Sequence, residues 1–287
     1  MTFQAFVGID WSGAKGKKHR GIQVAACAAG TAAPRLVRPK EGAWSRSAVL
    51  NWLTETATTT PTLAGLDFSF SLPFVDEGAY FPGIADSPGE APDLWRLVDE
   101  VSVAEADLYA GTFVGTAPWA AYFFANGAKG ARFARRHKAV ERACARQGLG
   151  HPESVFHLIG PKQVGRGSLA GMRFLAALRK RLPVVGVWPF DPPQDGRSCV
   201  VEVFPRTFLA VAGHGPAKIR TAIDLDRALA RFGAAPSGLT DGVDDNAADA
   251  IVAAAALRAL SEDRALWRPA AMEDRVRRTE GWIFGVG

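Results

Sequence analysis

The chain has 287 residues, of which 48% are hydrophobic and 22% are charged, and its formal net charge is +5. This balance excludes a disordered chain and allows one large folded core, with or without an inserted segment. The mild basic excess permits an anionic partner such as nucleic acid without requiring one.

The first quarter of the chain is predicted to contain three strands, a helix and a fourth strand. The strands are predicted over residues 3–9, 21–28, 34–38 and 63–72. Apolar spacing predicts a helix over 45–57 that begins after Ser45, a suitable N-cap residue. In the fourth strand, apolar residues alternate with polar ones, which is typical of a strand with one buried face.

Residues 74–150 interrupt this order, and we predict a helical insertion there within a single domain spanning 1–287. The insertion is expected to hold an acidic helix near 92–106 and a basic helix near 128–147. Further strands are predicted over 155–160, 184–189 and in "CVVEVFP", and further helices over 168–181, 216–232 and 244–260. The last of these is rich in alanine, so it can pack closely against a sheet. The apolar tail "EGWIFGV" is expected to pack back on the domain.

Four apolar segments carry a carboxylate where an apolar residue is expected. They are "FVGIDWSG" with Asp10, "LAGLDFSFSLP" with Asp67, "VVEVFP" with Glu202, and "DDNAADAIVAAAAL" with Asp245 and Asp249. A buried carboxylate must be paired, protonated or bound to a metal ion. Since no Lys or Arg lies inside these segments, they indicate one shared divalent cation held by oxygen, Mg²⁺ or Mn²⁺.

Each of these carboxylates also has a local alternative. Asp10 can cap its own turn, and Asp67 can lie on a solvent-facing side of its strand. Glu202 can protect an edge strand from aggregation. Asp245, together with Asp244, can cap the N-terminus of a helix, whereas Asp249 lies too far along the helix for that role.

The order of these motifs resembles the ribonuclease H-like fold. It is most similar to the family called domain of unknown function 429, which is described as predicted RNase H-like nucleases. The likeness rests on "VGIDWSG", "GLDFSFSLP", "VEVFP" and "NAADAIVAA", and extends to "VGRGSLAGMRFL" and the tail. It implies an α/β fold with a mixed sheet, in which three antiparallel strands are followed by parallel strands, flanked by helices.

The resemblance further implies a metal-dependent nuclease, a hydrolase of phosphodiester bonds. Asp10 would bridge two ions about 4 Å apart, Asp67 and Asp249 would each hold one, and Glu202 would be a ligand or orient water. Holliday-junction resolvases carry a second acid three residues before the helix Asp. That position is Asn246 here and Asp245 is one place off, so Asp245 is a further candidate ligand and the number of ions stays open.

Three groups of basic residues are candidates for binding nucleic-acid phosphates. They are Lys15, Lys17 and Lys18 after the first strand, Arg132, Arg135 and Arg136 on the basic helix, and Lys162 and Arg166 in "GPKQVGRGS". The alternatives are an ordinary basic turn, a face that pairs with the acidic helix, and a loose Gly-rich pattern that is not a Walker motif.

Two other functions remain open from the sequence. One is an actin-like or sugar-kinase-like ATPase, for which the chain is short because those proteins need two such domains. The other is a non-catalytic module that binds nucleic acid or a metal. The three scattered cysteines and the lack of a signal peptide or membrane-length apolar stretch predict a cytoplasmic protein with no membrane partner. DNA or RNA preference and oligomeric state are not predicted.

Overall fold

The fold is built around a six-stranded mixed sheet. The computed structural model describes residues 2–160 and 164–287. The strands are β1 Ala5–Asp10, β2 Gln23–Ala28, β3 Arg35–Leu36, β4 Thr62–Leu66, β5 Phe124–Ala125, β6 Ala128–Lys129, β7 Gly186–Trp188 and β8 Cys199–Glu202. The sheet order is β3-β2-β1-β4-β8-β7, while β5 and β6 form a separate hairpin. Strands β1, β2 and β3 pair antiparallel, and β4, β8 and β7 continue parallel to β1.

Ten α-helices surround the sheet in the described part of the chain. They are α1 Arg46–Thr59, α2 Ala91–Val101, α3 Gly111–Gly115, α4 Ala139–Arg146, α5 Val164–Arg181, α6 Pro205–Val211, α7 Ala222–Arg231, α8 Asp245–Leu260, α9 Arg264–Trp267 and α10 Asp274–Thr279. Short 3₁₀ helices cover Ala106–Leu108 and Trp119–Tyr122. The protein is therefore an α/β fold, as predicted.

Each face of the sheet has its own apolar core. On one face, Leu53 of α1, Trp95 of α2 and Leu175 of α5 pack with Ile9 and Leu66 of the central strands. The other face is covered by α8 together with α6, α7 and the C-terminal tail. Because both faces are covered, β4 and β8 are buried throughout, and this explains why their sequences are continuous apolar runs.

Helix α8 lies unusually close to β1. A Cβ atom added at Gly8 would lie 2.2 Å from the carbonyl oxygen of Ala250 and 2.8 Å from the Cβ of Ala253. The small side chains on both elements permit this approach, as the alanine-rich sequence predicted. The contact places the N-terminal half of α8 beside the C-terminal end of β1, where the candidate acids lie.

Several predicted elements are confirmed. Strands occur within or near 3–9, 21–28, 34–38 and 184–189, and helices at 45–57, 168–181 and 244–260. The helix predicted over 216–232 is present but begins only at Ala222. The Ser45 hydroxyl accepts a hydrogen bond from Ala48 N and so caps α1 as expected. The tail also packs back, since Trp282 and Phe284 are buried in the second core.

Three predicted elements are wrong. The strand predicted over 63–72 ends at Leu66, because Asp67 and the residues after it turn away from the sheet. Residues 155–160, all of which are described, contain a single bridge between Phe124 and His157 instead of a strand. The basic helix predicted over 128–147 is restricted to α4, so most of its arginines lie on irregular backbone.

No helix among the described residues combines the length and the apolar character that are needed to cross a lipid bilayer.

We expect Gly8→Ala to lower the free energy of unfolding by about 3 kcal/mol, because the added methyl group meets backbone atoms of α8 that cannot move aside alone. Gly186→Ala in β7 is the matched control, since its nearest neighbour would be the Cys199 sulfur at 3.8 Å. The control should change stability by roughly 0.5 kcal/mol or less. Urea unfolding of both variants tests this, and equal effects would contradict the close approach of α8.

Candidate active site

Asp10 and Asp67 lie side by side at the C-terminal ends of two central strands of the sheet. Ile9 of β1 and Leu66 of β4 are paired in the parallel register, and Asp67 N donates a 2.9 Å hydrogen bond to the Ile9 carbonyl. Asp10 ends β1 and Asp67 directly follows β4, so both side chains leave the sheet where parallel strands end. Each of the two carboxyl groups shifts the pKa of the other, so they lie close enough to interact directly.

Asp249 completes this group from the opposite element. It lies in the second turn of α8 and is half-buried. Its charge raises the pKa of both Asp10 and Asp67, so the three carboxyl groups lie close enough to repel one another. We call Asp10, Asp67 and Asp249 the acidic cluster.

The acidic cluster holds protons at pH values where exposed carboxyl groups are ionised. Burial, followed by the charges of Asp67 and Asp249, raises the pKa of Asp10 well above its ordinary value. Burial and then the charge of Asp249 raise the pKa of Asp67 to about 8. Burial raises the pKa of Asp249 to about 6. Carboxyl groups whose pKa values are raised in this way are common at functional sites.

The donor chemistry of the acidic cluster fits a hard divalent cation. All of its donors are carboxylate oxygens, which Mg²⁺ and Mn²⁺ prefer. Within residues 2–160 and 164–287, no set of three His, Cys, Asp or Glu side chains is arranged as a ready-made metal-binding group. Magnesium sites commonly use one or two carboxylates together with water and substrate oxygens. The paired Asp10 and Asp67, with Asp249 opposite, therefore supply the type of ligand that such a site uses, but they do not form a complete set of protein ligands.

Glu202 has a different partner from the one predicted. Lys138 Nζ donates to both of its carboxylate oxygens at 2.6 and 2.7 Å, and Phe70 N donates to Oε2 at 2.8 Å. Both side chains are buried. The expectation that Glu202 lacks a basic partner is therefore wrong, because Lys138 comes from the region predicted as an insertion. Its charge still contributes to the raised pKa of Asp67.

Asp245 is also paired. Its Oδ2 accepts a hydrogen bond from Lys218 Nζ and lies 4.0 Å from Arg220 Nη2. The bond from Lys218 lowers the pKa of Asp245, in contrast to the acidic cluster. The preceding Asp244 is the N-cap, since its Oδ1 accepts from the amides of Asn246 and Ala247. The capping alternative therefore holds for Asp244.

Lys218 was missed by the sequence analysis. It lies in the loop before α7, 27 residues from Asp245, and sequence spacing gives no signal that connects them. Its positive charge lowers the pKa of all three members of the acidic cluster. A basic residue therefore lies beside the acids that were expected to have none.

Two cavities are each lined in part by Trp11, the residue that follows Asp10 in the sequence. One, of about 280 Å³, is lined by Asp67, Glu202 and Ser168. The other, of about 420 Å³, is lined by Lys15 and Arg166. These volumes reach the lower range of sites that bind small molecules or parts of polymers.

A larger cavity of about 830 Å³ lies elsewhere, between Trp188 and Trp267. Its described lining residues include no carboxylate, so it lacks the perturbed acids that distinguish the region around Asp67. The acidic cluster is therefore the better candidate for chemistry, although it does not adjoin the largest space.

The first group of candidate phosphate-binding residues is exposed. Lys15, Lys17 and Lys18 lie on the turn after β1, and Lys18 approaches Glu41 at 3.6 Å. Arg166 at the start of α5 donates to the Tyr109 hydroxyl at 2.7 Å and remains half-buried. Lys162 lies outside the described residues. Lys15 and Arg166 thus face one cavity from two elements that are distant in sequence.

The predicted arginine stripe is wrong. Arg136 is buried and binds Asp76 through two guanidinium nitrogens, at 2.9 and 2.6 Å. Arg132 donates to the Pro82 carbonyl, and Arg135 is exposed on irregular backbone. These residues do not share a helical face.

The alternative, in which the basic residues of 128–147 pair with the acidic helix, is also wrong. Asp99 of α2 pairs with Arg173 and Lys180 of α5. Asp93 and Glu100 pair with Arg96 of α2 itself, so these ion pairs of α2 do not involve residues 128–147.

A buried arginine fixes the turn that follows Asp10. Arg46 donates to the Ser12 carbonyl through Nε at 3.0 Å and Nη2 at 2.8 Å, and to the Ala14 carbonyl at 2.6 Å. Its Nη1 donates to the Asp107 carbonyl at 3.0 Å. Sequence reasoning missed this residue, because Arg46 follows the N-cap of a helix, where exposed charge is ordinary. These hydrogen bonds to main-chain oxygens therefore fix the turn that carries Lys15.

No family model, curated protein or solved structure matches the chain. The inference of function therefore depends on the motifs and on the geometry described above.

We expect metal-free protein to lose stability as the pH rises from about 4 to about 8. The pKa of Asp67 is raised to about 8 in the folded state, against about 3.9 when unfolded, so over this range the folded state binds a proton that the unfolded state releases. This group contributes a decrease of at most about 1.4 kcal/mol per pH unit. Urea unfolding of Asp67→Asn in chelator should show a shallower slope, whereas Asp86→Asn, at an exposed position, should match wild type. An unchanged slope in Asp67→Asn would contradict the protonated pair.

Removal of the Lys138 charge should expose the cost of burying Glu202. We expect Lys138→Met to lower the free energy of unfolding by roughly 3 to 5 kcal/mol, because it leaves an unpaired buried carboxylate. The double variant with Glu202→Gln should recover most of this loss, since an amide oxygen can still accept the Phe70 N–H. Denaturant unfolding measures both, and a double variant as unstable as the single one would show that the ion pair is not the cause.

Proposed function

We propose that this protein is a metal-dependent nuclease that hydrolyses phosphodiester bonds of nucleic acid, with Mg²⁺ or Mn²⁺ held by Asp10, Asp67 and Asp249. The observation that carries the proposal is the convergence of three carboxyl groups from β1, β4 and α8 at one sheet edge, with their pKa values raised by burial and by one another. A bound divalent cation would replace the protons and relieve this repulsion.

The topology supports the same proposal. A ribonuclease H-like sheet has three antiparallel strands followed by parallel ones, and the order β3-β2-β1-β4-β8-β7 has that arrangement. The acids lie at the end of β1, after β4 and on the late helix α8, in the order implied by the resemblance to the domain of unknown function 429 family. The resemblance and the geometry therefore favour the same three residues.

The proposed roles differ among the five acids. Asp10 ends β1 beside Asp67, and both other members of the acidic cluster raise its pKa, so we assign it the role of central ligand. Asp67 and Asp249 bind from either side. Because Glu202 is paired with Lys138, we assign it a supporting role, in which it accepts from the Phe70 amide and adds negative potential at Asp67. Asp245 positions Lys218 through their hydrogen bond and is a weaker candidate for a metal ligand than the acidic cluster.

The bound ion would supply Lewis acidity and neutralise charge on the phosphate. The residues of the chain perform the remaining tasks. The acidic cluster would lose its protons if it held the cation, and its ionised carboxylates could then accept a hydrogen bond from water. Lys15 and Arg166, which line the cavity beside Trp11, are placed to bind phosphates of the substrate backbone. Lys17 and Lys18 on the turn after β1 are further candidates, as is Lys162, which lies outside the described residues.

The test is cleavage of single-stranded, duplex, hybrid and branched nucleic acids in Mg²⁺ or Mn²⁺. We expect activity that falls at least about 100-fold in Asp10→Asn and is unchanged in Asp86→Asn, an exposed control. Calorimetric titration with Mn²⁺ should show binding with proton release, which Asp67→Asn reduces.

The outcomes separate the competing functions. Equal cleavage by wild type and Asp10→Asn would contradict a role for this site. Turnover of ATP without cleavage would favour the ATPase, and binding of nucleic acid without turnover of either would favour the non-catalytic module.

A further inference from the structure

Lys218 lies at the rim of the acidic cluster. Its Nζ donates a hydrogen bond to Oδ2 of Asp245, and Asp245 is one helical turn from Asp249 on the same side of α8. The side chain of Lys218 is 59% exposed. The ammonium group is therefore within reach of both the carboxylates and a molecule that arrives from solvent.

The backbone that carries Lys218 is held in place. The next residue, Ile219, is buried in the core that α8 covers. The carbonyl of Arg220 accepts a 3.1 Å hydrogen bond from Val243 N, just before α8 begins. Lys218 is thus tied to the helix that provides Asp249, so its position relative to the acidic cluster is set by the fold.

Binding of a phosphodiester at the acidic cluster requires positive charge nearby. The acidic cluster repels an anionic substrate, and a divalent cation offsets only part of that repulsion. The positive charge of Lys218 favours the ionised form of Asp10, Asp67 and Asp249 alike. Lys218 therefore offsets the negative charge of all three acids from the rim of the cluster, where its ammonium group is accessible to an anionic substrate.

We propose that Lys218 is a catalytic residue of this hydrolysis, whose ammonium group donates a hydrogen bond to a non-bridging oxygen of the phosphate that is cleaved. The inference rests on the proposed nuclease function. In the free protein, the bond to Asp245 holds the ammonium group ready. In the complex, its charge stabilises the negative charge that develops on the phosphate in the transition state.

The first test compares Lys218→Gln with Lys40→Gln, a change at an exposed lysine after β3. In Mn²⁺, Lys218→Gln should lower kcat at least about tenfold, and Lys218→Arg should recover part of it, while Lys40→Gln matches wild type. Calorimetry should show that Lys218→Gln binds Mn²⁺ as tightly as wild type or more tightly, because a competing positive charge has been removed.

This pair of readouts distinguishes catalysis from a structural role. If Lys218 only arranged the ligands, Mn²⁺ binding would weaken along with kcat, and that result would overturn the inference. A kcat within twofold of wild type would overturn it as well. Melting temperatures of the three variants establish that each is folded.

The second test does not depend on cleavage. Binding of a fluorescent phosphorothioate oligonucleotide is measured over a range of salt concentrations in Mn²⁺. One lost phosphate contact in Lys218→Gln should reduce the slope of log affinity against log salt by about 0.7 to 0.9.

The two tests separate failure of the inference from failure of the proposed function. If wild type cleaves nothing but the slope falls, the hydrolysis is wrong and the phosphate contact stands. If wild type cleaves and Lys218→Gln cleaves equally well, the role of Lys218 alone is wrong. If wild type neither binds nor cleaves nucleic acid, both are wrong.

Discussion

The close contact between α8 and β1 is the constraint on which the candidate site depends. Gly8 has no side chain, so the backbone of α8 at Ala250 lies directly against the strand. Asp249 is the residue before Ala250, and Asp10 lies two residues after Gly8. The distance between a strand carboxylate and a helix carboxylate is therefore fixed by backbone packing, which is rigid, and not by flexible side chains. Parallel pairing of β1 with β4 then adds Asp67 at the same edge.

The five acids separate into two electrostatic groups. Glu202 and Asp245 each have a lysine partner, Lys138 and Lys218 respectively. In the acidic cluster, burial raises the pKa values, and for Asp10 and Asp67 the charges of other members raise them further. Burial also raises the pKa of Glu202, but there the charge of Lys138 opposes it. Buried acids with direct partners stabilise a fold or position a neighbour, whereas acids that repel one another attract a cation. This contrast, more than the number of acids, identifies which of them are candidates for catalysis.

The sequence predicted the elements whose signals are local. Ser45 capping α1, the apolar run of β1 and the alanine-rich α8 are all defined by neighbours within a few residues, and Asp10 and Asp249 were placed correctly with them. The partners of the acids could not be predicted, because Lys138 is 64 residues from Glu202. The region before α4 was wrongly predicted to be helical, because its density of basic residues is typical of an exposed helix. Arg136 is instead buried and binds Asp76 and carbonyl oxygens.

The contacts of Arg46 have a consequence for how this protein can diverge. Its guanidinium binds the main-chain oxygens of Ser12 and Ala14, which every amino acid supplies. Side chains at these two positions can therefore be exchanged without losing the bonds to Arg46, although the Ser12 hydroxyl also accepts a hydrogen bond from Ala14 N. Selection can thus alter the chemistry presented beside Asp10 while Arg46 keeps the backbone of the turn in place.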